Sequence, residues 1–302
     1  MKKRIVQEFK YLQDTICQQL EILDGKAVFQ EDQWLRKGGG GGRSRTIQNG
    51  NILEKGGVNF SEVYGLLPGN IQAKLELQAN EFFATGVSLI IHPENPHIPI
   101  VHMNVRYFEL KDGTYWFGGG IDLTPIYIEE EEAAAFHQKL KDVCDRYHPD
   151  FYPKFKAWAD DYFYLPHRKE TRGIGGIFFD HLTESETMSK EDVFRFVLEV
   201  GQLFAPLYCE ILRKKKGRKF SANEKDWQLH RRGRYVEFNL VLDQGTKFGL
   251  DTNGRTESIL VSMPPEVKWT YQYPVEKGSK EEATLYLLRK GINWVDYAKK
   301  IS

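Results

Sequence analysis

From Val101 onward the chain alternates apolar and polar side chains, and the polar members are residues that could do chemistry. In a β-strand alternate side chains share a face, so His102, Asn104 and Arg106 would line one side. An arginine fork matches a carboxylate, an asparagine amide can orient it, and a histidine can move protons near neutral pH. The pattern favours a site for an acidic substrate. The alternative is an ordinary solvated strand face, which this segment taken alone leaves open.

Longer motifs lie before and after this strand. They are Gly86–Pro99, Trp116–Pro125, Tyr162–Arg168 running into Arg172–Asp180, Gly233–Leu240, and Gly254–Leu260. In this order, from about Arg43 to Tyr273, the chain resembles the oxygen-dependent coproporphyrinogen III oxidase family. The resemblance implies an enzyme of haem and porphyrin biosynthesis. Such an enzyme converts two propionate groups of coproporphyrinogen III to vinyl groups, giving protoporphyrinogen IX, with dioxygen as oxidant and release of carbon dioxide.

The resemblance also implies roles for single residues. His102 would be the proton donor, and Asp122, which follows three glycines, would face the pyrrole N–H groups. From the residues alone, Asp122 could instead cap a turn before Pro125, and Arg172 could be a surface arginine of a loop. The implied substrate-binding positions are Ser88, Asn104, Val105, Arg106, Arg172, Asn253, Gly254 and Arg255.

Four histidines are implied as ligands of a divalent metal: His92, His102, His137 and His167. Their spacing does not predict a metal site: His92, His97 and His102 follow at intervals of five, which in a strand alternates faces, two prolines break that run, and His137 falls within a predicted helix. We expect no required cofactor and dioxygen as co-substrate, and we leave open whether a divalent metal binds.

Two other classes of protein compete with this interpretation. A metal-dependent hydrolase or oxygenase could use the same histidines. A tetrapyrrole carrier without activity could have the same pocket. Only the enzyme hypothesis explains why a proton-active histidine, a carboxylate and carboxylate-binding arginines occur together.

Composition excludes several other functions. Lys plus Arg and Asp plus Glu both number 42, so no global positive field favours nucleic acid or an anionic membrane. The three cysteines form neither a metal-ligand pattern nor a disulfide framework, and an iron–sulfur cluster lacks its ligands. No segment approaches the roughly 20 apolar residues of a membrane span. We therefore expect a cytoplasmic protein.

The hydrophobic pattern predicts a single α+β domain over residues 1–302, with a large antiparallel β-sheet flanked by α-helices on both sides. The predicted helices are 5–23, 70–84, 129–147, 151–164, 190–215 and 280–288. The predicted strands are 87–91, 100–110, 115–121, 234–242, 246–250 and 256–263. The five glycines from Gly38 to Gly42 are either a linker or a loop whose backbone approaches an anion.

A homodimer is implied as well. The segment from Tyr235 to Trp269, interpreted as strands with alternating apolar residues, would form a self-complementary contact at the position that the resemblance implies. The residues predicted at this contact are Tyr235, Val236, Phe238, Leu240, Leu242 and Trp269.

Overall fold

A computed structural model describes residues 1–67, 81–251 and 254–297. Seven strands form one antiparallel sheet with the spatial order β1-β2-β3-β4-β5-β6-β9. The strands of this sheet are β1 (Gln30–Leu35), β2 (Gly40–Gln48), β3 (Leu53–Leu66), β4 (Glu81–Pro93), β5 (Ile100–Leu110), β6 (Tyr115–Thr124) and β9 (Gly175–Leu182). Strands β7 (Tyr164–Leu165) and β8 (Glu170–Thr171) form a separate two-stranded ribbon.

Helices lie on both sides of the sheet, so the predicted α+β class is confirmed. Those in the described ranges are α1 (Lys2–Asp24), α2 (Glu130–Asp145), α3 (Phe151–Tyr162), α4 (Lys190–Lys215), α5 (Ala222–Val241), α6 (Gln244–Asp251), α7 (Thr256–Leu260), α8 (Lys280–Leu287) and α9 (Trp294–Tyr297). None of these helices has the length and apolar character that a bilayer crossing requires.

The main hydrophobic core lies between one face of the sheet and helices α1, α2 and α4. We call this the inner face. In β5 it is built by Val101, Met103 and Val105, each fully buried. The strand alternates as predicted, because every second side chain must enter this core. The intervening residues of β5 point to the opposite, outer face.

Helices α5 and α7 cover part of the outer face. Trp227 and Tyr235 of α5 pack against Ile100 in a second, smaller core. At the other end, Ser258 of α7 contacts Ser44 and Asn59 of the sheet. Between these covers the outer face is open, and the polar residues of β5 lie in this opening.

The predicted strand 234–242 is wrong, because these residues belong to helix α5. The helix begins at a capping box in which Ser221 and Glu224 satisfy each other's backbone N–H groups. Its buried residues Trp227, Tyr235 and Phe238 follow helical spacing. The apolar residues near its end also fit a period of two over a short stretch, which is why the pattern resembled a strand.

The next two predicted strands, 246–250 and 256–263, are also wrong. Residues 246–250 lie within helix α6, and the segment 256–263 begins with helix α7. Asp243 caps α6: its carboxylate accepts hydrogen bonds from the backbone N–H and the hydroxyl of Thr246.

The predicted helix 70–84 is wrong at its end, where residues 81–84 belong to β4. The rest of that prediction lies outside the described residues. The glycine run is not a linker, because Gly40, Gly41 and Gly42 lie within β2, and the alternative of a loop that approaches an anion stays a prediction. Gly39 and Gly40 adopt positive φ at the turn from β1 to β2, and Gly42 lies so close to Trp34 that a Cβ there would be 2.4 Å from the indole ring.

Candidate active site

The polar side of β5 forms the centre of the open outer face. His102, Asn104 and Arg106 are all half-buried, and each is in register with a residue of β6: Asp122, Gly120 and Gly118. The turn Asp112-Gly113 sets this register, since it closes the hairpin between the two strands.

His102 and Asp122 form a hydrogen-bonded pair across this register. The two atoms His102 Nδ1 and Asp122 Oδ1 are 2.8 Å apart. On the other side of the ring, the Asn104 amide donates to Nε2 at 3.4 Å. Both contacts fit one tautomer, with the proton on Nδ1 and the lone pair of Nε2 directed toward the Asn104 amide at the edge of the cleft. His102 can therefore accept or return a proton at Nε2.

Asp122 is only 1% exposed, and both of its oxygens are engaged. Arg172 Nη2 lies 2.8 Å from Oδ2 and 3.0 Å from Oδ1. Burial alone would raise the pKa of this carboxyl group. The charge of Arg172 and the hydrogen bond from His102 outweigh burial and hold the pKa of Asp122 below its usual value. Asp122 is thus a buried anion at neutral pH.

Arg172 is 3% exposed and is enclosed by aromatic rings. Its guanidinium carbon lies 4.2 Å from the ring centre of Phe163 and 4.8 Å from those of Tyr235 and Phe238. Its other terminal nitrogen, Nη1, donates to Asn239 at 3.2 Å. The structure therefore directs this arginine at Asp122 and α5 rather than at the cleft.

Arg106 is the arginine that faces the opening. Its Nη1 donates to the Asn104 side chain, and its Nη2 lies 3.0 Å from Asp180 on β9. About a third of its side chain is exposed. Gly118 makes this arrangement possible, because a Cβ there would lie 2.6 Å from both Arg106 Nε and Asp180 Oδ1. A guanidinium held in this way can bind a carboxylate that enters from solvent.

A row of polar side chains crosses the outer face in register. Ser44, Asn59, Ser88 and Asn104 are neighbours across β2, β3, β4 and β5. Ser44 and Asn59 are hydrogen-bonded to Ser258 of α7, whereas Ser88 is exposed beside Asn104. Val105 points into the core and is 0% exposed, so only its backbone could take part in binding.

Arg255 lies at the far end of this row. Its guanidinium pairs with Asp32 of β1, and Gly254 precedes it in the turn between α6 and α7. Asn253 lies outside the described residues. Four strand spacings of about 4.8 Å separate β1 from β5, so Asp32, the partner of Arg255, lies on a strand about 19 Å from that of Arg106.

The four histidines predicted as metal ligands are not brought together. His137 lies in the inner core, and its ring nitrogens contact Tyr152 and the carbonyl of Ile174. His92 is sealed against the carbonyl of Ser262, and burial lowers its pKa to about 3. His167 is exposed and contacts Glu237. Among the described residues no group of three or more His, Cys, Asp or Glu side chains could hold a metal. These histidines do not fit a metal centre.

The residues predicted at the dimer contact separate into two sets. Tyr235, Val236 and Phe238 are buried within the chain, where two of them enclose Arg172. Leu242 is partly buried against the cluster that contains Phe238 and belongs with these three. Leu240 and Trp269 form the second set and are about half exposed. Because α5 is a helix, the predicted alternating strand edge does not exist, and only the second set could contact another copy.

Several residues of the site were not predicted from the sequence. Asp180 could have been found, because strand alternation places it on the same face as Gly176 and Phe178. Phe163 and Asn239 could not, since only the folded chain brings α5 and the segment after α3 to Arg172.

The chain can now be compared with known proteins. Residues 4–294 match the protein family described as coproporphyrinogen III oxidase. The oxygen-dependent coproporphyrinogen-III oxidase of Synechococcus sp. (strain CC9605) is 47% identical over an alignment of 308 residues, which covers 94% of this chain and 85% of that protein. The motifs that suggested the resemblance supply β4, β5, β6, β9 and α5, the elements around the open face. This chain belongs to the coproporphyrinogen III oxidase family.

Proposed function

We propose that the chain catalyses the oxygen-dependent decarboxylation of two propionate groups of coproporphyrinogen III to vinyl groups, giving protoporphyrinogen IX. The observation that carries this proposal is the open face of β5, on which a proton-active His102 lies two rungs from the carboxylate-binding Arg106. The family match over most of the chain supports the same reaction.

The substrate carries four carboxylates, and the outer face offers cations at two ends of one polar row. Arg106, with Asn104 and Ser88, would hold one carboxylate through charge-assisted hydrogen bonds. Arg255 and the preceding turn would hold another from the β1 side. Helix α7 covers β2 and β3 through Ser258, so the macrocycle would lie over β4 and β5, where Ser88 and Asn104 are not covered.

His102 would serve as the acid–base group at the reacting propionate. Its Nε2 faces the cleft, whereas Nδ1 is held by Asp122. A neutral imidazole with this tautomer can take a proton from a pyrrole N–H or return one to the product. Asp122 stabilises the imidazolium that forms when Nε2 takes a proton.

The reaction balances without an external reductant. Each propionate loses its carboxyl carbon as CO₂ and one hydrogen from the carbon next to the ring. The two electrons released reduce one O₂, which becomes hydrogen peroxide after gaining two protons. The reaction therefore requires neither a flavin nor a nicotinamide, and the sequence has neither a dinucleotide fingerprint nor a thiolate cluster. We also infer that no bound metal is required.

Incubation of the purified protein with coproporphyrinogen III, with and without oxygen, tests the proposal. In air we expect vinyl product with one O₂ consumed per CO₂ released, in the absence of added metal, flavin or nicotinamide. A metal-dependent enzyme would lose activity with chelators and contain stoichiometric metal. A carrier would bind the porphyrinogen but give neither product nor oxygen uptake. Full activity without oxygen, or dependence on S-adenosylmethionine, would contradict the proposal.

We further infer that the chain forms a homodimer through the end of α5. Leu240, Val241 and Leu250 expose 48, 53 and 43% of their surface on neighbouring helices. Exposed apolar residues grouped in this way are typical of interfaces. In a two-fold symmetric interface each of these residues contributes once from each of the two chains.

Replacing Leu240 with Asp should convert the dimer to a monomer. Burial of one leucine contributes about 1.5–3 kcal/mol, and the two-fold axis doubles it, so the dissociation constant should rise by more than about a hundredfold. Sedimentation velocity measures this. Ile22→Asp, an exposed apolar residue of α1, is the matched control and should remain dimeric. A monomeric native protein would refute the inference.

The three cysteines are free and buried. They support a reducing compartment, and we infer the cytoplasm.

A further inference from the structure

Arg172 is buried more completely than an arginine that binds an entering substrate would need to be. Three aromatic rings lie within 5 Å of its guanidinium carbon, and its backbone N–H donates to the carbonyl of Phe163 at 2.8 Å. Both terminal nitrogens have partners inside the protein: Asp122 and Asn239. A substrate carboxylate could reach the terminal nitrogens of this cation only by displacing Asp122 or Asn239.

The partners of Arg172 come largely from one face of α5. Tyr235, Phe238 and Asn239 are separated by three and four residues, so they project from the same side of the helix. The Asn239 side chain also donates to the carbonyl of Tyr235 at 3.0 Å, which fixes the amide. The helix thus holds the guanidinium from outside the sheet while Asp122 holds it from within.

The contacts form a chain that ends at the cleft. Asn239 accepts from Arg172, Arg172 donates to both oxygens of Asp122, and Asp122 accepts from Nδ1 of His102. Of these four residues, His102 has the most exposed side chain, 16% against 2% for Asp122 and for Arg172. Asp122 is shielded from the cleft, so it can influence a substrate chiefly through the histidine.

We propose that Arg172 is a positioning residue that does not bind substrate: held by α5 and its aromatic cage, it orients the Asp122 carboxylate and thereby fixes the His102 tautomer that faces the cleft. This inference rests on the proposed function for its kinetic consequences. It replaces the prediction that Arg172 binds a carboxylate of the substrate.

The kinetic test compares two arginines of the same site. In Arg172→Gln we expect kcat to fall by about a hundredfold with KM changed less than about threefold, because ground-state binding is untouched. Arg106→Gln should instead mainly raise KM. Arg172→Lys should recover little activity, since one ammonium nitrogen cannot hold Asp122 and Asn239 as Nη2 and Nη1 of Arg172 do, whereas Arg106→Lys should recover part of the binding. A rise in KM for Arg172→Gln equal to that of Arg106→Gln, with kcat retained, would overturn the proposal.

The His102 tautomer gives a readout that needs no turnover. In ¹⁵N-histidine-labelled protein, with His102 assigned by its replacement, we expect a protonated Nδ1 in the native chain and a mixture of tautomers in Arg172→Gln. An unchanged tautomer in the folded variant would refute the proposal. If the native protein lacked turnover, the proposed function would fail while this measurement still tested Arg172.

A milder variant covers the case in which Arg172→Gln does not fold. Asn239→Ala removes one hydrogen bond to the guanidinium and leaves the buried ion pair intact. We expect a fall in kcat of about three- to tenfold, with KM unchanged and circular dichroism and thermal unfolding close to those of the native protein. A rise in KM without a fall in kcat would contradict the proposal.

Discussion

Asp122→Asn should lower turnover by about 10² to 10⁴-fold while much of the substrate affinity remains. Asp122 stabilises the imidazolium of His102 and holds the proton on Nδ1. A neutral amide cannot stabilise the cation, and it can donate to Nδ1, which favours the wrong tautomer. Loss of such electrostatic and orienting groups is commonly worth effects of this size.

Steady-state kinetics with coproporphyrinogen III would check this prediction, with Asp180→Asn as matched control. Asp180 contacts Arg106 rather than His102, so its replacement should change KM more than kcat. Removing the charge of Asp122 also leaves Arg172 buried without its counter-ion, which can cost about 3–5 kcal/mol of folding free energy. Unfolding must therefore be measured in parallel, and His102→Gln tests the same step if the variant is unstable. Normal turnover of Asp122→Asn would contradict the role assigned to it.

Arg106→Ala should lower kcat/KM by about ten- to over a hundredfold, mainly through KM. A charge-assisted hydrogen bond to a bound carboxylate contributes roughly 1.5–3 kcal/mol. The loss should be small in kcat, because Arg106 holds a part of the substrate away from His102 Nε2.

Arg195→Ala provides the control for this variant. Arg195 is an exposed arginine of α4, and its contacts are with Glu191 and Asp192 of the same helix. Its removal should leave kinetics and folding unchanged. If Arg106→Ala folded normally and had native kinetics, the outer face of β5 would not be the carboxylate site.

The strand β5 was predictable because one physical constraint acts on it locally. Val101, Met103 and Val105 must enter the core, so the polar residues between them must face the other way. The pairing of His102 with Asp122 was also within reach. The hairpin turns at Asp112-Gly113, so residues at equal distances before and after position 112 lie opposite each other, as His102 and Asp122 do.

Helix α5 shows where short patterns fail. Val236, Phe238, Leu240 and Leu242 alternate, which is typical of a strand, but Ser221 and Glu224 begin a helix that continues through most of them. Seven residues of alternation, from Val236 to Leu242, were less informative than a capping box a dozen residues earlier.

The aromatic cage of Arg172 lay beyond any local pattern. Arg172, Asp122 and Tyr235 are separated by at least 50 residues in the chain, and they meet only because α5 packs on the outer face. A motif match indicated that Arg172 matters but not what it contacts. Burial and partners decide between a substrate ligand and a positioning residue, and both are properties of the folded chain.

A crystal structure with coproporphyrin III bound tests the central claim most directly, because this oxidised, aromatic macrocycle keeps the four carboxylates but lacks the electron-rich pyrrole rings that react with oxygen. We expect one carboxylate within hydrogen-bonding distance of Arg106, the macrocycle over the outer face next to His102 Nε2, and the ion pair between Asp122 and Arg172 unbroken. A macrocycle bound elsewhere, for example in the groove between α2 and α4 beside Lys139, or a carboxylate on Arg172 in place of Asp122, would contradict the account.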